Sequence, residues 1–140
     1  ACFGPQSPIF LSGFSMGGFG ALRLGAKYAD RFRAIGGHSS VTHFDQLSIF
    51  ANDPSGAYHS VPAEERSVLH WMKKNRAFLP PVRFDCGADD RLVEFNRQLH
   101  RELEAEGIPH EYVELPGTHS WDYWHAQLRE MLKFFDAQLG

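Results

Sequence analysis

The sequence predicts an α/β fold, a parallel sheet with helices on its faces. Short apolar runs of strand length alternate with longer stretches whose apolar residues recur every three or four positions. Glycine or proline punctuates most junctions between them. The order reads β-α-β-loop-α-β-α-β-α, and parallel strands joined by helices imply right-handed crossovers.

Residues 9–13 follow Pro8 and read as a buried strand. Residues 16–28 read as a helix despite Gly17, Gly18, Gly20 and Gly25. Each glycine costs a helix roughly 1 kcal/mol against alanine, so close approach to a strand or ligand is the expected reason to keep them. Residues 32–37 read as a second strand. Residues 38–62 show no period and carry the turn formers Asn52, Pro54, Ser55 and Gly56. The 43–67 stretch is the candidate lid or pocket insertion, because long irregular segments within domains are often functional. Residues 63–79 read as a helix between Pro62 and Pro80-Pro81, and 82–86 as a third strand. Leu92, Phe95, Leu99 and Leu103 form one helical stripe over 91–106, ended by Gly107 and Pro109. Residues 111–115 read as a fourth strand, closed by Pro116-Gly117. Trp121, Trp124, Leu128, Met131, Phe135 and Leu139 form a last helical stripe.

Composition narrows the function classes. The chain has 140 residues, 43% hydrophobic and 22% charged, which suits a folded domain rather than a disordered one. A formal net charge of −3 without a basic cluster argues against a nucleic-acid binder. No apolar run approaches the ~20 residues of a membrane span. Two cysteines, Cys2 and Cys86, form neither a disulfide framework nor a zinc set; Cys86 reads as a buried thiol, and the usage leans to the cytoplasm, with secretion left open.

The chemistry concentrates at three strand ends. Gly13-Phe14-Ser15-Met16-Gly17 matches G-x-S-x-G where a strand turns into a helix, the setting this motif needs. The turn exposes the serine hydroxyl, the flanking glycines let neighbouring backbone pass without meeting a β-carbon, and the helix N-terminus favours an anion. The Met16 N–H is the candidate oxyanion donor. A serine needs a base, and the base needs an orienting carboxylate. Asp89 and Asp90 follow the third strand, and His119 follows the fourth, the order and places expected of acid and base. Either aspartate also suits the cap of the 91–106 helix. His38, just past the second strand, is a candidate pocket residue, as is Trp121 beside His119. The other histidines read as surface or packing residues.

These motifs together resemble the esterase D-type branch of the α/β-hydrolases. The resemblance rests on Gly13-Phe14-Ser15-Met16-Gly17-Gly18, on Asp85-Cys86-Gly87-Ala88-Asp89-Asp90, and on Gly107-Ile108-Pro109-His110-Glu111-Tyr112 leading to Pro116-Gly117-Thr118-His119-Ser120-Trp121. It implies an α/β-hydrolase-like fold, Ser15 as nucleophile, His119 as base and Asp90 rather than Asp89 as the acid. It implies a carboxylic ester or thioester as small-molecule substrate, and no metal or cofactor. The family's usual Gly-Gly-His-Asp run stands here as Gly117-Thr118-His119-Ser120. That branch also places several strands before the elbow strand, and one of their loops supplies a second oxyanion N–H. Only eight residues precede Ile9, so the whole chain, 1–140, corresponds to the C-terminal portion of one such domain. Its first strand is then expected to present an open edge, suited to self-association or a complementing chain. Acyl transfer by the same residues, or a non-catalytic module built on that edge, are the alternatives to hydrolysis.

Overall fold

The computed structural model describes residues 3–46 and 60–140. Four parallel strands, β1 (Phe10–Phe14), β2 (Ala34–His38), β3 (Val82–Gly87) and β4 (Glu111–Leu115), lie side by side in chain order. Helices α1 (Met16–Lys27), α2 (Val68–Lys74) and α3 (Val93–Ala105) cover one face, and α4 (Trp121–Asp136) covers the other. The expected fold class is therefore the observed one. Cys86 is a buried free thiol; Cys2 and most of the 43–67 stretch lie outside the described residues.

The strands have the period of two that a covered sheet needs. Leu11, Ile35, Val82, Phe84 and Tyr112 point to the three-helix face, where Leu22, Trp71, Met72, Leu99 and Leu103 meet them. Ala34 and Phe10 point the other way, to Met131 and Phe135. The glycine-rich α1 is explained in part. A β-carbon on Gly25 would lie 2.5 Å from Ile35 Cγ2, so this helix packs nearer the sheet than an alanine would allow. Gly17 and Gly20 have no such neighbour among the described residues.

Two expected helices differ. The 63–79 segment is split into a 3-10 turn, Ala63–Arg66, and α2. An antiparallel bridge between His43 and Ser67 pulls Ser67 into an extended conformation, and its hydroxyl then caps the new helix by accepting the His70 N–H at 3.0 Å. In α4 the buried stripe is Tyr123, Gln127, Met131 and Phe135, whereas Trp121 and Leu128 are exposed, as is Leu139 past the helix end. The stripe is partly polar because the sheet beneath carries buried polar side chains of its own, His38, Arg83 and Asp85.

A repeated bond builds the carboxyl rim. The first N–H past β1, β2 and β3 donates to a carbonyl in the carboxyl half of the next strand: Ser15 to His38 (2.9 Å), Ser39 to Asp85 (2.8 Å) and Ala88 to Leu115 (2.8 Å). The loops after β1, β2 and β3 therefore all hang on a neighbouring strand, and the side chains they carry are brought to one edge.

Candidate active site

Ser15 joins β1 directly to α1 with φ 54°, a left-handed conformation that an L-residue adopts only when its surroundings hold it there, at a cost of roughly 1–3 kcal/mol. Its carbonyl accepts the N–H of Val41 at 3.1 Å, and its own N–H is tied to His38. A β-carbon on Gly13 would lie 2.3 Å from the Gly17 carbonyl oxygen, so the first glycine of the motif is a steric requirement of this turn. Gly17 meets nothing within 4 Å, which corrects the expectation that both flanking glycines serve close approach. The Ser15 hydroxyl makes no capping bond to the helix it precedes.

That hydroxyl faces His119 instead, with Oγ 3.0 Å from Nε2. His119 Nδ1 lies 2.8 Å from Asp90 Oδ2. A carboxylate oxygen accepts, so Nδ1 carries the ring hydrogen and Nε2 is left to accept from the serine. Asp90 is 3% exposed, and its second oxygen accepts the Leu92 N–H at 2.8 Å at the start of α3. Asp90 is thus the member of the acidic pair that bonds the imidazole, while the N-cap of α3 is Leu92 and carries no side-chain cap; Asp89 is exposed and contributes its backbone N–H to the Gly117 carbonyl. The three side chains, 104 and 29 residues apart along the chain, form one hydrogen-bonded line.

Met16 is the first residue of α1, where backbone N–H groups have no intrahelical acceptor, and it is 54% exposed. Trp121 stands at the rim, 74% exposed, with its ring edge-on to Trp124 at 4.9 Å. His38 has no exposed surface. It is fully buried under the rim on the α4 face, with Nδ1 2.7 Å from Asp85 Oδ2, because its strand is central and its side chain points inward. The residue that sequence reasoning passed over is Trp124, whose ring meets His119 edge-to-face at 4.9 Å and stacks on Phe14 at 5.4 Å.

A cleft of about 550 Å³ lined by Leu79, Pro81, Ile108 and Phe134 lies at the amino ends of β3 and β4, the opposite end of the strands from Ser15. Among the described residues no group of three or more His, Cys, Asp or Glu side chains is placed to hold a metal ion, and no helix is long and apolar enough to cross a membrane.

The chain is similar to known proteins in sequence and in fold. Over 139 aligned residues the chain is 33% identical to an acetyl esterase of Caldicellulosiruptor saccharolyticus, covering 88% of this chain and 52% of that one. The fold superposes on the S-formylglutathione hydrolase of Staphylococcus aureus with a TM-score of 0.81 and 25% identity, over 89% of this chain and 53% of that one. A ferulic acid esterase matches with a TM-score of 0.76 and 28% identity, over 92% and 51%. The chain therefore spans about half the length of these relatives. Residues 4–135, from before β1 into the last turn of α4, match the family described as "Putative esterase", and the chain belongs to that family.

Proposed function

We propose that the chain carries the acyl-transfer machinery of a serine esterase and cleaves carboxylic esters or thioesters. The line Ser15–His119–Asp90 carries this reading. Ser15 Oγ attacks the ester carbonyl as His119 Nε2 takes its proton. Asp90 holds the ring in the tautomer whose Nε2 accepts from the serine and stabilises the imidazolium that forms. The oxyanion develops beside the N-terminus of α1, where the Met16 N–H is a donor and the helix dipole favours negative charge. The imidazolium then gives its proton to the departing alkoxide or thiolate, and the carbonyl re-forms as an acyl-serine. Water, losing a proton to His119, attacks the acyl-serine; the acid leaves and Ser15 recovers its proton.

Met16, next to Ser15 in the chain, and Trp121, two residues past His119, are both exposed and are the proposed apolar walls for the substrate. A short acyl group is favoured by the likeness to an enzyme named acetyl esterase. One N–H is half of an oxyanion hole, and a second donor is worth about 10²–10³ in rate. The outer edge of β1, which pairs with no strand among the described residues and has Ile9 exposed beside it, is the proposed place for further strands of this protein or for a second chain.

The test is labelling with a fluorophosphonate and turnover of p-nitrophenyl acetate. Label should map to Ser15 and vanish in Ser15→Ala. Label that persists in that variant removes the assignment.

A further inference from the structure

A second histidine–aspartate pair lies beneath the first. His38 and Asp85 sit opposite each other in register on β2 and β3, both fully buried, with Nδ1 2.7 Å from Oδ2. Arg83, two residues before Asp85 on the same face, donates Nη1–H to the same oxygen at 2.8 Å and Nε–H to the outer carboxylate of Glu111 at 3.0 Å. His38 Nε2 has no partner among the described residues. Stability alone is a poor reason for such a cluster, since an apolar replacement of a buried ion pair is often neutral or stabilising.

Its neighbours suggest another reason. The row that holds the pair continues to β1, where Phe14 is the in-register partner of His38 and their rings are 5.0 Å apart. Phe14 stacks on Trp124, at 5.4 Å and 16°, and the Trp124 ring meets His119 at 4.9 Å and 87°. The His38 backbone carbonyl meanwhile accepts the N–H of Ser15 at 2.9 Å. One residue is thus tied to the serine through its backbone and to the imidazole through two rings.

We propose that His38, its ring locked by Asp85, is a positioning residue that sets the His119 imidazole against Ser15 through Phe14 and Trp124. The inference rests on the reading of Ser15 and His119 as nucleophile and base. The Nδ1–H to Asp85 fixes the His38 ring plane. That plane sets where Phe14 lies, Phe14 supports the Trp124 ring, and Trp124 blocks the His119 ring from swinging away from the serine. His38 is fully buried and out of reach of substrate, so the effect of its loss falls on kcat rather than KM.

The experiment compares His38→Asn, which keeps a donor for Asp85 but removes the ring, with Phe14→Leu, which breaks the relay one step on, and with Glu111→Gln at the exposed end of the network. Each is made in the full chain. The readouts are kcat and KM for p-nitrophenyl acetate and, without substrate, the low-field proton resonance of the His119 Nδ1–H. Displacement of a reacting group by about 1 Å can cost up to ~10²-fold, so kcat should fall about tenfold or more in His38→Asn and Phe14→Leu. KM should stay close to wild type and the resonance should shift or broaden. Glu111→Gln should leave all three unchanged. Wild-type kcat and an unmoved resonance in the two variants would overturn the proposal, and if His38→Asn does not fold, Phe14→Leu decides alone. Loss of fluorophosphonate labelling in wild type would instead remove the reading of the site, while the resonance still reports whether the relay holds His119.

Discussion

Asp90 divides its two carboxylate oxygens between Leu92 and His119: Oδ1 accepts the Leu92 N–H that opens α3, and Oδ2 accepts the ring N–H of His119 at 2.8 Å. Structure and chemistry therefore make different demands on one side chain, and an amide separates them. In Asp90→Asn the Oδ1 can still accept from Leu92, but the amide on the other branch can donate to the ring and favour the wrong tautomer. We expect kcat to fall about 10⁴-fold with little change in melting temperature. Asp89→Asn, at the exposed neighbour, should keep wild-type kcat. Equal losses in the two variants would contradict the assignment.

Gly87 ends β3 directly beneath the loop of His119, and a β-carbon there would lie 2.3 Å from the Gly117 carbonyl oxygen. Backbone must then shift, two residues from His119. Gly87→Ala should cost about 1–3 kcal/mol by urea denaturation and lower kcat as well. Gly17→Ala meets nothing within 4 Å and should fold with unchanged or slightly raised stability, although it belongs to the G-x-S-x-G motif. The same denaturation series checks both.

Burial pushes the Cys86 thiol well above its ordinary range, with the Asp90 carboxylate adding to the rise. The thiolate is the reactive form. In the native chain Cys86 should resist iodoacetamide even near the ordinary thiol value of about 8.5, and react once the chain is unfolded in urea. Peptide mapping by mass spectrometry distinguishes Cys86 from Cys2. Rapid modification of Cys86 in the folded chain would show that the strand is less enclosed than described.

The Arg97 guanidinium, donating to Glu114 from Nε at 2.9 Å and also from Nη2, holds that carboxyl below the usual carboxylate range, and the Tyr112 hydroxyl adds a bond at 2.9 Å. A carboxyl whose folded value is lowered stabilises the fold above its unfolded value and loses that contribution as pH falls through the folded one. Glu114→Gln should therefore lower stability by about 0.5–1 kcal/mol at neutral pH. The gap from wild type should close as pH falls below about 4. Melting temperatures across pH measure it, and a gap that widens in acid would reverse the sign.

Most of the fold was legible because it is locally encoded. The strand expected at 111–115 is β4 to the residue, since a short strand-forming run around Tyr112 and Val113 stops where Pro116-Gly117 forbids its continuation. The same holds for Ser15 and His119 as candidates, whose positions after strands follow from the alternation of elements. The break at Ser67 was not legible, because the bridge that imposes it comes from His43, far off in the chain. The polar stripe of α4 was read through Trp121 and Leu128 rather than Tyr123 and Gln127, because apolar periodicity is blind to a helix that packs on buried charge. The paired Arg83 and Asp85 in an otherwise apolar strand were the signal that could have revealed it.

The sequence by itself determined the alternation of strands and helices, the glycine at 13 that the elbow requires, and the three kinds of side chain placed after β1, β3 and β4. These depend on near neighbours and on backbone sterics. Only the tertiary structure decided that Asp90 faces inward while Asp89 faces out, that His38 is buried on Asp85, and that the rings of Phe14 and Trp124 lie between it and His119. Those are cross-strand and sheet-to-helix contacts, set by register and by how the layers close, and no local pattern carries that information.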